Sequence, residues 1–256
     1  MSDLKHPIGY CDETANPFHG CEHDCPFCFA RRFAIRHGGN PAVRGYRDLK
    51  MAGLHPFAPA FSQAKLDALS EHLRRARQPR RVFIGDMGDL GGDWDYRAYG
   101  ALGLTDEIMP ADHVREAVRL LVSEHERHTF LILTKNPCGL AGIRWPANAH
   151  VGTSVSDTAE AWMRCERLVD SVEAQVRWVS VEPLLDAAFD AEAVNWAGIR
   201  WVVVGFQTGP GRDGTIEHMR AVERIVDLCA RDGVPCFVKD NVTEFTGRTW
   251  PREFPA

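Results

Sequence analysis

Between Gly20 and Cys28 the chain reads Gly-Cys-Glu-His-Asp-Cys-Pro-Phe-Cys, which puts Cys21, Cys25 and Cys28 on one short loop. Thiolates are the ligands of iron–sulfur clusters, and three of them hold three corners of a 4Fe-4S cube and leave the fourth iron open. An open iron is a reaction site. A structural zinc ion takes four ligands, commonly as two paired C-x2-C or H-x3-H units, and no second pair follows here. His19, His23 or Cys11 would have to complete a zinc tetrahedron, and this is the alternative reading of the same loop. Cys11, Cys138, Cys165, Cys229 and Cys236 are scattered and read as buried small hydrophobes, since an intracellular chain keeps its thiols reduced.

A second set of polar residues follows short apolar runs. Gly85-Asp-Met-Gly-Asp89 comes after 81–84, Thr134-Lys-Asn136 after 129–133, and Ser154, Ser156 and Asp157 after 150–154. Glu182 then follows 176–181, Gln207 with Thr208 follows 199–204, and Lys239 with Asp240 follows 234–238. The runs are rich in β-branched residues and are separated by segments 111–124, 157–170 and 216–231, whose apolar residues recur at helical spacing. That alternation predicts a parallel sheet covered by helices, where loops at the C-terminal strand ends carry the chemistry. Six successive strand ends would then deliver polar groups to one rim.

Upstream, 7–10 is a candidate first strand, a helix is expected from about Ala30, and 65–77 reads as another. Residues 38–64 hold too much Gly and Pro for a long helix and read as an inserted excursion. No internal repeat or linker is evident, so the 256 residues read as a single domain, α/β in class.

Composition narrows the field. At 45% hydrophobic and 25% charged the chain can bury a large core, which excludes disorder and small disulfide scaffolds. The first residues lack a signal-peptide core and no apolar run approaches a membrane span, so a cytoplasmic protein without membrane contact is expected. The net charge of −5 hides an asymmetry: 31–81 carries twelve Lys or Arg against three Asp or Glu. This basic insertion could steer a polyanion such as nucleic acid, or be a solvated surface in a chain with 25 Arg and 5 Lys.

The C-x3-C-x2-C spacing, with Phe27 just before the third cysteine, resembles the signature of the radical S-adenosylmethionine (radical SAM) superfamily. The resemblance implies a partial TIM-type (β/α)6 barrel with the cysteines after its first strand, a 4Fe-4S cluster, and S-adenosylmethionine (SAM) held at later strand ends. It also implies an electron donor such as flavodoxin or ferredoxin. Gly85, Asp86, Met87, Gly88 and Asp89 occupy the place of that superfamily's Gly-Gly-Glu, which meets the SAM amino group. Thr134-Lys-Asn136 is similar to its Thr-Asn-Gly turn and Ser154-Val-Ser156-Asp157 to its Ser-Leu-Asp turn, while Arg164 matches an arginine that meets the SAM carboxylate. Phe27 would pack near the adenine.

A closer resemblance covers nearly the whole chain. Asn16-Pro-Phe-His-Gly-Cys21, Cys25-Pro-Phe-Cys-Phe-Ala30, Val82-Phe-Ile-Gly-Asp-Met-Gly-Asp-Leu90, Leu133-Thr-Lys135, Ser180-Val-Glu-Pro-Leu-Leu185, 205–211 and Gly233-Val-Pro-Cys-Phe-Val-Lys239 are similar to the phage-associated three-Cys-motif proteins. Many of those have a longer gap between the first two cysteines, and Gly-Glu-Ser where this chain has Phe206-Gln-Thr208. The expectation is therefore a radical SAM enzyme that cleaves SAM and abstracts hydrogen from an unidentified substrate, with nucleic acid as a candidate through the basic segment. Glu182, Gln207 and Lys239 are the candidates for substrate contact. A zinc-stabilised nucleic-acid-binding module without SAM chemistry is the alternative.

Overall fold

The computed structural model describes residues 8–38, 44–100, 103–207 and 214–256. The chain divides into two compact units: Cys11–Ile132 form the first, and Leu133–Ala256, with the short stretch that carries Tyr10, form the second. Its class is α/β, and parallel strands dominate.

In the first unit, β1 (Glu13–Ala15) pairs in parallel with β4 (Arg81–Ile84), which pairs in parallel with β7 (Thr129–Thr134). Val82, Phe83 and Ile84 are all buried, as are Phe130, Leu131 and Ile132. Strands that bury both faces read as continuous apolar runs, which is why these two are visible in the sequence. Two helices cover them. Leu66, Leu69 and Leu73 form the buried stripe of α1 (Gln63–Arg75), and Val114, Val118, Leu121 and Val122 that of α2 (Ala111–Glu124). Ser62 caps the first of these by accepting the Lys65 N–H at 3.4 Å.

A longer excursion than the Gly and Pro content suggests lies between β1 and β4. It holds β2 (Phe18–His19), the cysteine loop, helix α3 (Phe29–His37), helix α4 (Arg44–Met51) and β3 (Ala60–Phe61). β2 and β3 join β5 (Tyr96–Gly100) and β6 (Gly103–Met109) in a second sheet, ordered β2-β3-β5-β6. Nothing in the sequence announces that sheet. Two of its strands are two residues long, and Thr105, Asp106, Glu107 and Ile108 of β6 are exposed, so neither apolar alternation nor a buried run marks it.

The second unit repeats strand and helix. Its strands β8 (Ala149–Val155), β9 (Val176–Val181), β10 (Trp201–Val204) and β11 (Cys236–Val238) are parallel neighbours in that order. The helices are α5 (Thr158–Ser171), α6 (Ile216–Asp232) and α7 (Asp240–Thr246). Asp157 accepts the Glu160 N–H at 2.7 Å and starts α5, and Gly233 ends α6, as the sequence implies. Over the chain the parallel strands follow the order β1-β4-β7-β8-β9-β10-β11; the six expected from residue 81 onward are present, and the upstream strand lies at Glu13–Ala15 instead of 7–10. Ile8–Tyr10 are not a strand; Tyr10 instead packs edge-on against Trp178, Trp201 and Phe237 at 5.6–5.9 Å. Of the scattered cysteines, Cys165, Cys229 and Cys236 are buried as expected, whereas Cys138 is exposed and Cys11 is half-buried. No described helix is long and apolar enough to cross a membrane.

The sequence suggests that Arg74, Arg75, Arg77, Arg80 and Arg81 meet a polyanion near the mouth of the barrel, and that placement requires a correction. Arg74 and Arg75 sit at the end of α1, share Glu71, and lead through Arg77 and Arg80 into the start of β4. They therefore lie at the N-terminal end of that strand, opposite the end from which 85–89 emerges, and not at the mouth of the sheet.

Two buried histidines lie in the same region and give the first unit an acid-sensitive joint. His128 accepts the Arg80 N–H on Nδ1 at 3.0 Å, and its Nε2 donates to the Leu73 carbonyl at 3.2 Å, which requires a neutral ring. His125 pairs with the Ser70 hydroxyl at 2.9 Å. Burial, followed by the Arg127 charge for His128 and by His128 itself for His125, holds both below the usual histidine range. The unfolded chain then binds more protons than the folded one, so stability is full above the ordinary value of 6.5 and falls as pH drops below it, by up to about 1.4 kcal/mol per pH unit for each ring. Denaturation midpoints between neutral pH and pH 5 should show this slope, and His128→Leu should flatten it; an unchanged slope in the variant would show that His128 does not carry it.

Candidate functional site

The cysteine loop follows β2 directly. Cys21, Cys25 and Cys28 are half-buried, and none of the eight cysteines forms a disulfide. The Cys28 thiol caps α3, its sulfur accepting the Arg31 N–H at 3.3 Å, and the Cys21 sulfur accepts the His23 N–H at 3.4 Å. A helix N-terminus and backbone N–H groups both favour negative charge on sulfur. Burial opposes this at Cys21 and pushes its thiol up to about 12, with the Asp89, Cys28 and Cys25 charges adding to the rise. Cys21 is therefore a protonated thiol at neutral pH.

The loop after β4 is pinned against the cysteines from several sides. Gly85 opens it with φ +82°, and a Cβ there would lie 2.2 Å from the Phe18 ring, so no other residue fits without displacing β2. Asn16 Nδ2 donates to Asp86 at 2.6 Å and Asn16 Oδ1 accepts the Met87 N–H at 3.0 Å. The Gly20 N–H donates to the Met87 carbonyl at 2.9 Å, and Met87 packs with Ala30, Ala34, Tyr46 and Phe57 in a cluster that also touches Cys21 and Cys28. His23, between the first two cysteines, pairs with buried Asp89 at 2.9 Å and stands edge-on to Trp94. The other Asp89 oxygen accepts the Gly91 N–H at 2.9 Å. Arg115 finishes the clamp from α2, donating to the Leu90 carbonyl at 3.1 Å and the Gly92 carbonyl at 2.7 Å.

In the second unit the polar residues also stand at strand ends. Thr134 is buried, accepts the Asn136 N–H at 2.9 Å and has its carbonyl bonded by Thr153 at 2.8 Å. The Ser154 hydroxyl receives Lys135 Nζ at 3.3 Å and donates to the Glu182 carbonyl at 3.1 Å. Arg164 donates to the Ser154 carbonyl at 2.7 Å and pairs with Glu160 at 2.9 Å, while Glu160 accepts the Ser156 N–H at 2.8 Å. This arginine braces the turn that carries Ser154 and Ser156. Among the described residues the buried Ser156 and Ser180 hydroxyls and Arg164 Nε have no hydrogen-bond partner, so these groups retain polar capacity.

Glu182 and Lys239 form an ion pair across the sheet. Val181, Val204 and Val238 are level in the β9-β10-β11 register, so Glu182 and Lys239 extend the outer two strands at the same height, and Gly205 between them leaves room for contact. Lys239 Nζ also lies 5.7 Å from the Tyr10 ring centroid. Gln207 is half-buried just beyond β10; Thr208 lies outside the described residues. Phe27 is half-buried, and its carbonyl accepts from Arg32 at 3.2 Å.

The first unit thus brings together the three cysteines and 85–89, and the second gathers Thr134, Ser154, Ser156 and Arg164, with Ser154 linking them to Glu182 and so to its partner Lys239. Asn16 and Arg115, which pin the 85–92 loop, were not assigned by motif reasoning, and His23 was weighed there only as a fourth zinc ligand. Asn16 had a signal in its place in the segment ahead of Cys21; Arg115 had none. Among the described residues, no three or more His, Cys, Asp or Glu side chains are arranged to hold a single metal ion. Of the candidates for a fourth zinc ligand, His23 pairs with Asp89, His19 is buried between Tyr46 and Tyr99 with its Nε2 unpartnered among the described residues, and Cys11 is half-buried. Three thiolates serving separate corners of a cube need not converge on one point, and the donor set fits a 4Fe-4S cluster.

A family model for proteins of unknown function, DUF5131, matches residues 5–248. The chain belongs to this family. No curated protein and no solved structure matches the chain. As a DUF5131 member it shares with its family a match that runs from before the cysteine loop to beyond Lys239, so both sets of polar residues fall inside the family's own boundaries.

Proposed function

We propose that this DUF5131 protein is a radical SAM enzyme on a partial (β/α)6 barrel, with one 4Fe-4S cluster on Cys21, Cys25 and Cys28. The observation that carries the reading is the cysteine loop itself. It offers three thiols on eight residues, two of their sulfurs already receive backbone N–H groups, and a glycine-bearing strand-end loop is clamped beside it. When bound, the cluster would supply the electron that cleaves the sulfonium C–S bond of SAM and so begins hydrogen abstraction from substrate.

The chain's own part is positioning and binding. Asn16, the His23–Asp89 pair and Arg115 hold 85–92 in one conformation, leaving backbone groups of Gly85 to Gly88 to meet the amino group of SAM. The Asp89 carboxylate serves the loop. In the second unit Thr134, Ser154 and Ser156 are the SAM candidates, with Arg164 shaping their turn. Glu182 accepts and Lys239 donates hydrogen bonds to substrate, and Gln207 adds a neutral amide.

The test is anaerobic reconstitution with iron and sulfide, followed by incubation with SAM and a chemical reductant. Brown protein that releases 5'-deoxyadenosine is the expected result. A colourless, zinc-loaded protein that leaves SAM intact and binds oligonucleotides would replace this reading with the zinc-stabilised module.

A further inference from the structure

Helix α3 begins one residue after Cys28, and its outward face carries both apolar and basic side chains. Ala30 and Ala34 are buried, which turns Phe29, Arg32, Ile35 and Arg36 toward solvent. Phe29 is 51% exposed and Ile35 53% exposed. Two large apolar side chains on a nine-residue helix therefore flank two arginines, and the helix contains no acidic residue. Exposed aromatic and aliphatic groups beside arginine are the composition of a protein-docking centre. Arg32 also reaches back to the Phe27 carbonyl, so one positive charge lies on the cysteine loop itself.

We infer that this face of α3 docks an acidic one-electron carrier protein, which delivers its electron to the cluster through the Cys28 end of the helix. The inference rests on the cluster reading above. Charge decides the occupant: this face of the helix carries Arg32 and Arg36 around an apolar centre, and the nearby Asp24 is paired with Arg31, so an acidic partner gains steering that a basic one would lose. One electron leaves the carrier and enters the cluster, with no bond made or broken in the chain. Because the face starts at a cluster ligand, docking here needs no rearrangement of the loop.

The test uses reconstituted protein, reduced flavodoxin as the acidic carrier, and dithionite as a small reductant that needs no docking face. Cluster reduction is followed by stopped-flow absorbance, and flavodoxin binding to the same protein is measured at several salt concentrations. Ile35→Ser with Arg36→Glu, both exposed and away from the loop, should slow reduction by flavodoxin roughly tenfold or more and flatten its salt dependence. Affinity should weaken in step, reduction by dithionite should stay unchanged, and Arg36→Lys should retain the wild-type rate. Equal flavodoxin rates in the double variant and the wild type would overturn the docking face while leaving the cluster reading intact. An oligonucleotide that loses affinity in the double variant while flavodoxin does not would assign the face to nucleic acid instead. A wild-type chain that takes up no iron would overturn the cluster reading, and this proposal with it.

Discussion

Cys28→Ala is expected to abolish the iron–sulfur chromophore, lowering iron from about four atoms per chain to under one, because a cube held by two thiolates loses a corner to solvent. The substitution also removes the cap of α3, since the sulfur that accepts the Arg31 N–H disappears, and a lost cap costs about 1 kcal/mol. Cys28→Ser separates the two effects. Its hydroxyl still accepts that N–H and keeps the helix, but it is a poorer ligand for iron than a thiolate. Cys165→Ala, in the buried stripe of α5, should lose some stability and no iron. The measurement is iron and sulfide analysis with visible absorption after anaerobic reconstitution. Full iron in Cys28→Ala would end the assignment of the loop.

Gly20→Ala is expected to produce the largest loss of stability at the site. Gly20 has φ +89°, and a Cβ on it would lie 2.3 Å from the Ala58 carbonyl oxygen and 2.7 Å from the Pro59 nitrogen. Both are backbone atoms leading into β3, so nothing flexible can give way. A left-handed residue with a side chain costs about 1–2 kcal/mol, and overpacking adds about 1–3 kcal/mol. The strain falls where the Gly20 N–H meets the Met87 carbonyl and where the next residue is Cys21. The urea midpoint should therefore drop, with cluster uptake reduced beside it. A variant within 0.5 kcal/mol of wild type, the range of ordinary surface substitutions, would show that β3 does not confine this turn.

Asp89 and Arg164 have contacts that their motifs do not announce. Asp89, which the resemblance places at a SAM-contacting position, also meets His23 and the Gly91 N–H. Arg164, the candidate for the SAM carboxylate, also braces Ser154 and Glu160. Both are long-range or turn-closing contacts, and no spacing rule distinguishes a residue that holds a loop from one that the loop holds out to a ligand.

The strands β4, β7, β8, β9, β10 and β11 and helices α1, α2, α5 and α6 were legible in the residue order, because each buries a local apolar pattern whose period declares its type. The three-cysteine loop was legible for a related reason: Cys21, Cys25 and Cys28 sit on eight consecutive residues, so no distant segment has to pack to bring them together. What only the tertiary structure decided are the contacts that join distant segments. They include the second sheet, whose short and partly exposed strands leave no periodic trace, and the location of Arg74 and Arg75 at the N-terminal end of β4. The pairing of His23 with Asp89 across 66 residues and of Glu182 with Lys239 across 57 belongs with them. Such pairs are set by strand register and loop path, which depend on how the whole chain packs, and the local sequence around either partner carries no record of the other.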